Sequence, residues 1–168
     1  MTKSYTIKTA ALAVLIVIGA ASTSFADSNR VSITQLGNGH SIGGSQGGWD
    51  NRLSVYQRGL GNLSIQTQDG RRNSVSVNQS GRLNDAITGQ IGRKNKTVIG
   101  QQGRRNTATT TQSGRCNIAG VAQFGRNHSA NVSQSGRCNA IGVIQTGKGN
   151  TATARQSGRG NVAVIVQD

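Results

Sequence analysis

The sequence predicts an all-β fold: a two-sheet β-solenoid whose strand–turn–strand rungs of 22 residues stack parallel and in register, in the cross-β manner. Three observations predict it. Glutamine recurs every 11 residues from Gln35 to Gln167 with no insertion. Glycine follows two residues after each of the first twelve glutamines. The five residues ahead of each glutamine alternate with period two, the pattern of a strand with one buried face. A phase held this strictly over most of a chain marks a stacked repeat.

Composition agrees. At 168 residues the chain allows one ordinary domain. Aromatic residues are 3%, proline is absent and glycine numbers 24. Too few bulky side chains exist to fill a rounded core. Acid–base chemistry has little material, with five Asp, two His and no Glu, so an enzyme is not expected. No cofactor and no small-molecule substrate are expected either.

The elements follow in order. Residues 1–26 read as an export signal. Lys3 and Lys8 precede an apolar run at 10–21, which is too short to span a bilayer, and Ser24 and Ala26 supply small residues for cleavage. Without this segment, 17 basic residues face 5 acidic ones, net +12. Residues 27–34 form a lead-in and the first strand. Residues 35–168 carry the 11-residue repeats of a single solenoid.

The unit is Asn-x5-Gln-x-Gly-x-x, with His40 and His128 replacing Asn twice. In the strand at 73–79, Asn73, Val75, Val77 and Gln79 face inward, and Ser74, Ser76 and Asn78 face outward. The strand at 62–68 is the exception, because its larger residues, Leu63 and Ile65, fall on the outer face. The stretch x-Gly-x-x reads as a tight turn around Gly81, Gly92, Gly103, Gly114, Gly125, Gly136, Gly147 and Gly158. Thirteen strands make about six and a half rungs, a rod roughly 30 Å tall at the usual strand spacing.

The corner amides are the candidate functional groups. Stacked copies of one amide can bond to the copy above and the copy below. Gln57, Gln68, Gln79, Gln90, Gln101, Gln112, Gln123, Gln134, Gln145, Gln156 and Gln167 are expected to form such ladders. So are Asn73, Asn84, Asn95, Asn106, Asn117, Asn139, Asn150 and Asn161.

Other positions carry further expectations. Arg71, Arg82, Arg93, Arg104, Arg115, Arg126, Arg137, Lys148 and Arg159 follow the glycines and form a cation column on each edge. Such columns favour an anionic partner, or serve solubility alone. DNA is one such anion, but Trp49, Tyr56 and Phe124 are too few for sequence-specific readout. The last strand is apolar on both faces, and outward Val162, Val164 and Val166 mark an open docking edge. Cys116 and Cys138 lie one rung apart on one edge, which leaves both a disulfide and free thiols open. Two cysteines offer too few ligands for zinc, and no metal site is expected.

Residues 145–156 (Gln145-Thr146-Gly147-Lys148-Gly149-Asn150-Thr151-Ala152 and on to Gln156) and the equivalent run to Gln167 resemble the curlin repeats of bacterial curli, the functional amyloid fibres of cell surfaces. The resemblance covers about residues 29–168. It implies secretion through the outer membrane, self-assembly into pilus-like extracellular fibres, and a part in biofilm and cell adhesion. It also implies partners: the chain itself, a major curlin, and secretion and surface-anchoring factors. The family's nucleator tends to be basic, so the charge here resembles a minor, nucleating curlin. Two departures stand out. The family's Ser is mostly Asn here, and its second turn glycine is often Arg, Lys, Leu or Cys. The alternatives are a major fibre subunit, or a soluble β-solenoid that binds polyanions.

Overall fold

The computed structural model describes residues 28–168. The expected export signal at 1–26 lies outside the described residues. The described chain holds thirteen strands: β1 (Arg30–Asn38), β2 (Ser41–Trp49), β3 (Arg52–Leu60), β4 (Leu63–Arg71), β5 (Ser74–Arg82), β6 (Asp85–Arg93), β7 (Lys96–Arg104), β8 (Thr107–Arg115), β9 (Ile118–Arg126), β10 (Ser129–Arg137), β11 (Ala140–Lys148), β12 (Thr151–Arg159) and β13 (Val162–Gln167).

Odd-numbered strands form a seven-stranded sheet and even-numbered strands a six-stranded sheet. All pairs are parallel and every residue meets its counterpart 22 positions on, as in Val75↔Thr97 and Ala86↔Ala108. The two-sheet β-solenoid is therefore the observed fold. Its core is a thin seam of small side chains, among them Val55, Val77, Ala86, Ile99, Ala108, Val121 and Val143. Larger residues would force apart two sheets that pack about 10 Å face to face.

Strand β4 keeps the common register despite its sequence. Ser64 and Gln66 are buried, while Ile65 remains 41% exposed. A one-residue slip would bury Leu63 and Ile65 but would turn Gln68 out of its ladder, and the neighbouring strands would then be mispaired.

The turns correct one expectation. The x-Gly-x-x segment is not a four-residue turn. The strand continues through glutamine, glycine and the following cation, and only two residues turn, such as Arg72 and Asn73. The reason is that the whole segment still pairs between rungs, as in Gly81↔Gly103 and Arg82↔Arg104. The repeat glycines therefore serve stacking rather than turning. Gly103 has φ +124°, and a Cβ there would lie 1.8 Å from the carbonyl oxygen of Gly125 on the next rung.

The true corner is the residue after the cation, which adopts the left-handed conformation. Glycine holds it at Gly39, Gly61, Gly149 and Gly160, but Arg72, Leu83, Lys94, Arg105, Cys116, Asn127 and Cys138 adopt it too, with φ between 53° and 64°. Each such residue costs about 1–2 kcal/mol relative to right-handed backbone. Hydrogen bonds between rungs offset the cost, for example Arg72 N–H to Trp49 O at 3.0 Å and Leu83 N–H to Leu60 O at 2.9 Å.

Candidate functional site: amide columns, charged edges and open ends

The glutamines form two unbroken columns, one per sheet. In the seven-stranded sheet Nε2 of each glutamine donates to Oε1 of the next, from Gln35 through Gln57, Gln79, Gln101, Gln123 and Gln145 to Gln167, at 2.8–3.0 Å. In the other sheet the column runs from Gln46 through Gln68, Gln90, Gln112 and Gln134 to Gln156, at 2.6–3.1 Å. Most members also donate to the first residue of the preceding strand in the opposite sheet, as Gln79 does to Leu63 O at 2.9 Å. Each column thus bonds rung to rung and also sheet to sheet. Gln57, Gln79, Gln90, Gln112 and Gln123 are fully buried, so an unbroken chain of partners is what makes their burial tolerable.

The asparagines behave differently, which corrects the expectation of an identical amide ladder. Their oxygen accepts the backbone N–H of the asparagine one rung on, as from Asn95 to Asn73 Oδ1 at 3.0 Å. Their Nδ2 donates to backbone carbonyls, as from Asn73 to Asp69 O and Gly92 O, both at 3.0 Å. Among the described asparagines, direct amide–amide bonds appear only from Asn84 to Asn62 and from Asn139 to Asn117, both at 3.2 Å. Asparagine is one methylene shorter than glutamine and sits where the chain turns, so backbone groups are its nearest partners. This column pins the corner, which is why Asn recurs there.

Histidine fits the same place because it can copy two of these roles. His128 Nδ1 accepts the N–H of Asn150 at 3.2 Å, and its other nitrogen, Nε2, faces Phe124 O at 3.2 Å. That arrangement puts the proton on Nε2. His40 repeats it with Asn62 N–H and Leu36 O. Neither histidine lies on the edge that carries the cysteines.

Each edge carries its cation column. Arg82, Arg104, Arg126 and Lys148 stack on one edge. Arg71, Arg93, Arg115, Arg137 and Arg159 stack on the other. The sequence reading missed a second partial column. Arg72 and Lys94 stand beside the second edge's column, and the sequence signal for them was the same 22-residue step read one position later. Two contacts hold the base of this edge. Arg71 stacks 4.1 Å from the centre of the Trp49 ring, and Arg72 pairs with Asp50 at 3.3 Å.

Cys116 and Cys138 continue the Arg72–Lys94 column as two unjoined thiols. Hydrogen bonding to the Cys138 thiol, then desolvation and the charge on Cys138, raise the pKa of Cys116; Lys94 and Arg115 pull the other way. Among the described residues no three His, Cys, Asp or Glu side chains gather as metal ligands would.

An apolar outer face lies at the C-terminal end of the seven-stranded sheet. Ile118 on β9, Ile144 on β11, and Val162, Val164 and Val166 on β13 are 40–76% exposed on three adjacent strands. Strand β13 has a neighbour on one side only. At the opposite end Val31 is 52% exposed on the open side of β1.

The model of the curlin-associated repeat matches this chain four times, over residues 26–59, 48–81, 70–103 and 103–136. No individual curated protein matches the sequence. The repeats matched by the family model are the strand pairs that build the rungs, and the stacked amides are what those repeats supply. The chain belongs to the curlin-repeat family, which builds structural subunits of curli-type fibres rather than enzymes.

Proposed function

We propose that the chain is an extracellular subunit that assembles head-to-tail and seeds the growth of a more acidic major curlin, in the matrix that binds cells into biofilm. The observation that carries the fibre role is the pair of continuous amide columns, which among the described residues run to two open ends. A bonded stack without caps gains by adding another layer, because each end leaves amides and strand edges without partners. A contact of unlike ends does not close, so it propagates as a filament.

The nucleating role rests on charge. Net +14 over the full sequence and an arginine or lysine at the end of nine of the thirteen described strands favour an acidic partner. The same columns would hold the subunit against anionic lipopolysaccharide or DNA, by phosphate contact rather than base readout.

Seeding tests this reading. Trace amounts of preformed assemblies are added to an acidic curlin from the same cell, and thioflavin fluorescence follows the lag. A shortened lag that lengthens again as salt is added supports nucleation. Robust fibres of this chain alone, with no effect on the acidic partner, would assign it to the major subunit. A protein that stays monomeric and shows no fibres would be a soluble solenoid instead.

A further inference from the structure

The strand count sets how one copy must sit on the next. Among the described residues the strands number thirteen, an odd count, so the described solenoid ends half a rung out of phase with its beginning. Every corner rises alike. The same corner hydrogen bond recurs on both edges, 2.9 Å from Leu83 N–H to Leu60 O and 2.9 Å from Lys94 N–H to Arg71 O. The molecule is therefore a staircase. With the rise shared equally by the two edges, β13 stands half a rung above β12 at one end, and β1 lies half a rung below β2 at the other.

We propose that each arriving copy docks rotated by half a coil, so that its β1 pairs with β12 and its β2 pairs with β13. This rests on the fibre-subunit reading above and specifies its junction. In this arrangement the seven-stranded sheet of one copy continues the six-stranded sheet of the other. Unrotated docking sets β1 on β13 and leaves the edges of β12 and β2 facing a gap one strand wide, about 4.8 Å.

Side chains at the two ends fit the rotated register. Gln46 Oε1 is buried and has no hydrogen-bond partner, although Gln46 Nε2 donates onward to Gln68 at 2.6 Å. Rotated docking places Gln167 beneath it, in the position from which every earlier glutamine donates upward. Gln167 Nε2 spends one hydrogen on Thr151 O at 3.1 Å, and an amide has two. In the same register Gln156 meets Gln35, Ala163 meets Ile42, and Ile165 meets Gly44. Unrotated docking gives Gln46 a full empty strand below it instead of a donor. A consequence is that the apolar outer faces of β9, β11 and β13 alternate between opposite sides of the fibre from copy to copy.

Disulfide trapping in fibres tests the register, in the full-length chain with Cys116→Ser and Cys138→Ser. The pair S45C and V166C meets across the rotated junction, whereas T34C and V166C meets across the unrotated one. Stacked in register, such pairs fall within disulfide reach. The expected result is a ladder of covalent multimers from oxidised S45C/V166C fibres after denaturation without reductant, and monomer from T34C/V166C. The reverse pattern, or fibres with neither pair joined, overturns the rotated junction and leaves the fibre reading intact; a parent chain that forms no fibres overturns both. If either variant fails to assemble, electron microscopy of parent fibres decides. A half-turn per copy with an axial rise of about 31 Å is expected, and no half-turn with a rise of about 34 Å would overturn the proposal.

Discussion

At the scale of single residues, stability is a matter of whether buried polar atoms find partners. Thr97 bridges the column, accepting from Gln90 at 3.1 Å and donating to Gln112 at 3.0 Å. Thr88 and Thr110 are just as buried, but their hydroxyls bond to nothing in the protein. Replacing either with valine keeps the shape and removes an unpaired hydroxyl. Thr88→Val and Thr110→Val are each expected to stabilise the fold by about 1–3 kcal/mol, seen as a higher denaturant midpoint. Thr97→Val is expected to destabilise it, because two glutamines lose a partner. Asp85 shows the ionic counterpart. Burial against the sheet raises its pKa. An acid with a raised folded pKa favours the folded state while protonated, so that contribution is present at low pH and fades as pH rises through the carboxylate range. Asp85→Asn is therefore expected to raise the melting temperature at pH 7 and to leave it unchanged at pH 3, which thermal melts at the two pH values would check.

At the scale of strands and corners, the glycines separate into two kinds that the sequence alone does not distinguish. Gly103 lies under the backbone of Gly125, with no room for a side chain. Gly100 sits three residues earlier on the same strand and faces open space, with nothing within 4 Å of an added Cβ. Gly103→Ala is expected to abolish stacking at that rung, whereas Gly100→Ala is expected to leave fibre yield and melting unchanged, as measured by pelleting and thermal melts. The contrast also explains which parts of the fold were legible. Strand positions, inward faces and register follow from a period held without insertion, so Val75, Val77 and Gln79 could be placed from the sequence. The ends of the strands could not, because glycine signals either a turn or a close approach of backbones, and only the geometry between rungs tells Gly103 from a turn residue. The asparagine corners are visible in the sequence, but their bonding is not, for a similar reason. Period marks Asn73 as special, but it does not say that the partners of Asn73 are backbone groups rather than another amide.

At the scale of the whole molecule, function follows from a stack that nothing among the described residues closes. The open strand edges at β13 and β1 and the unpaired Gln46 oxygen all lie at the ends, where the sequence places no capping segment within residues 28–168. Deleting residues 161–168 removes β13 and its apolar outer face. Fibre formation and seeding are expected to fall sharply, and unchanged kinetics in a thioflavin assay would show that growth does not proceed from that end. On the proposed function the charge columns select an acidic partner, so exchanging Arg82, Arg104 and Arg126 for serine is expected to weaken seeding of an acidic curlin without lowering thermal stability. On the proposed function, a fibre of this protein is the intramolecular stack continued from copy to copy. Diffraction from oriented fibres checks this: a meridional reflection at about 4.8 Å along the fibre axis and an equatorial one near 10 Å are expected. A strand-spacing reflection lying across the axis, or none at all, would contradict it.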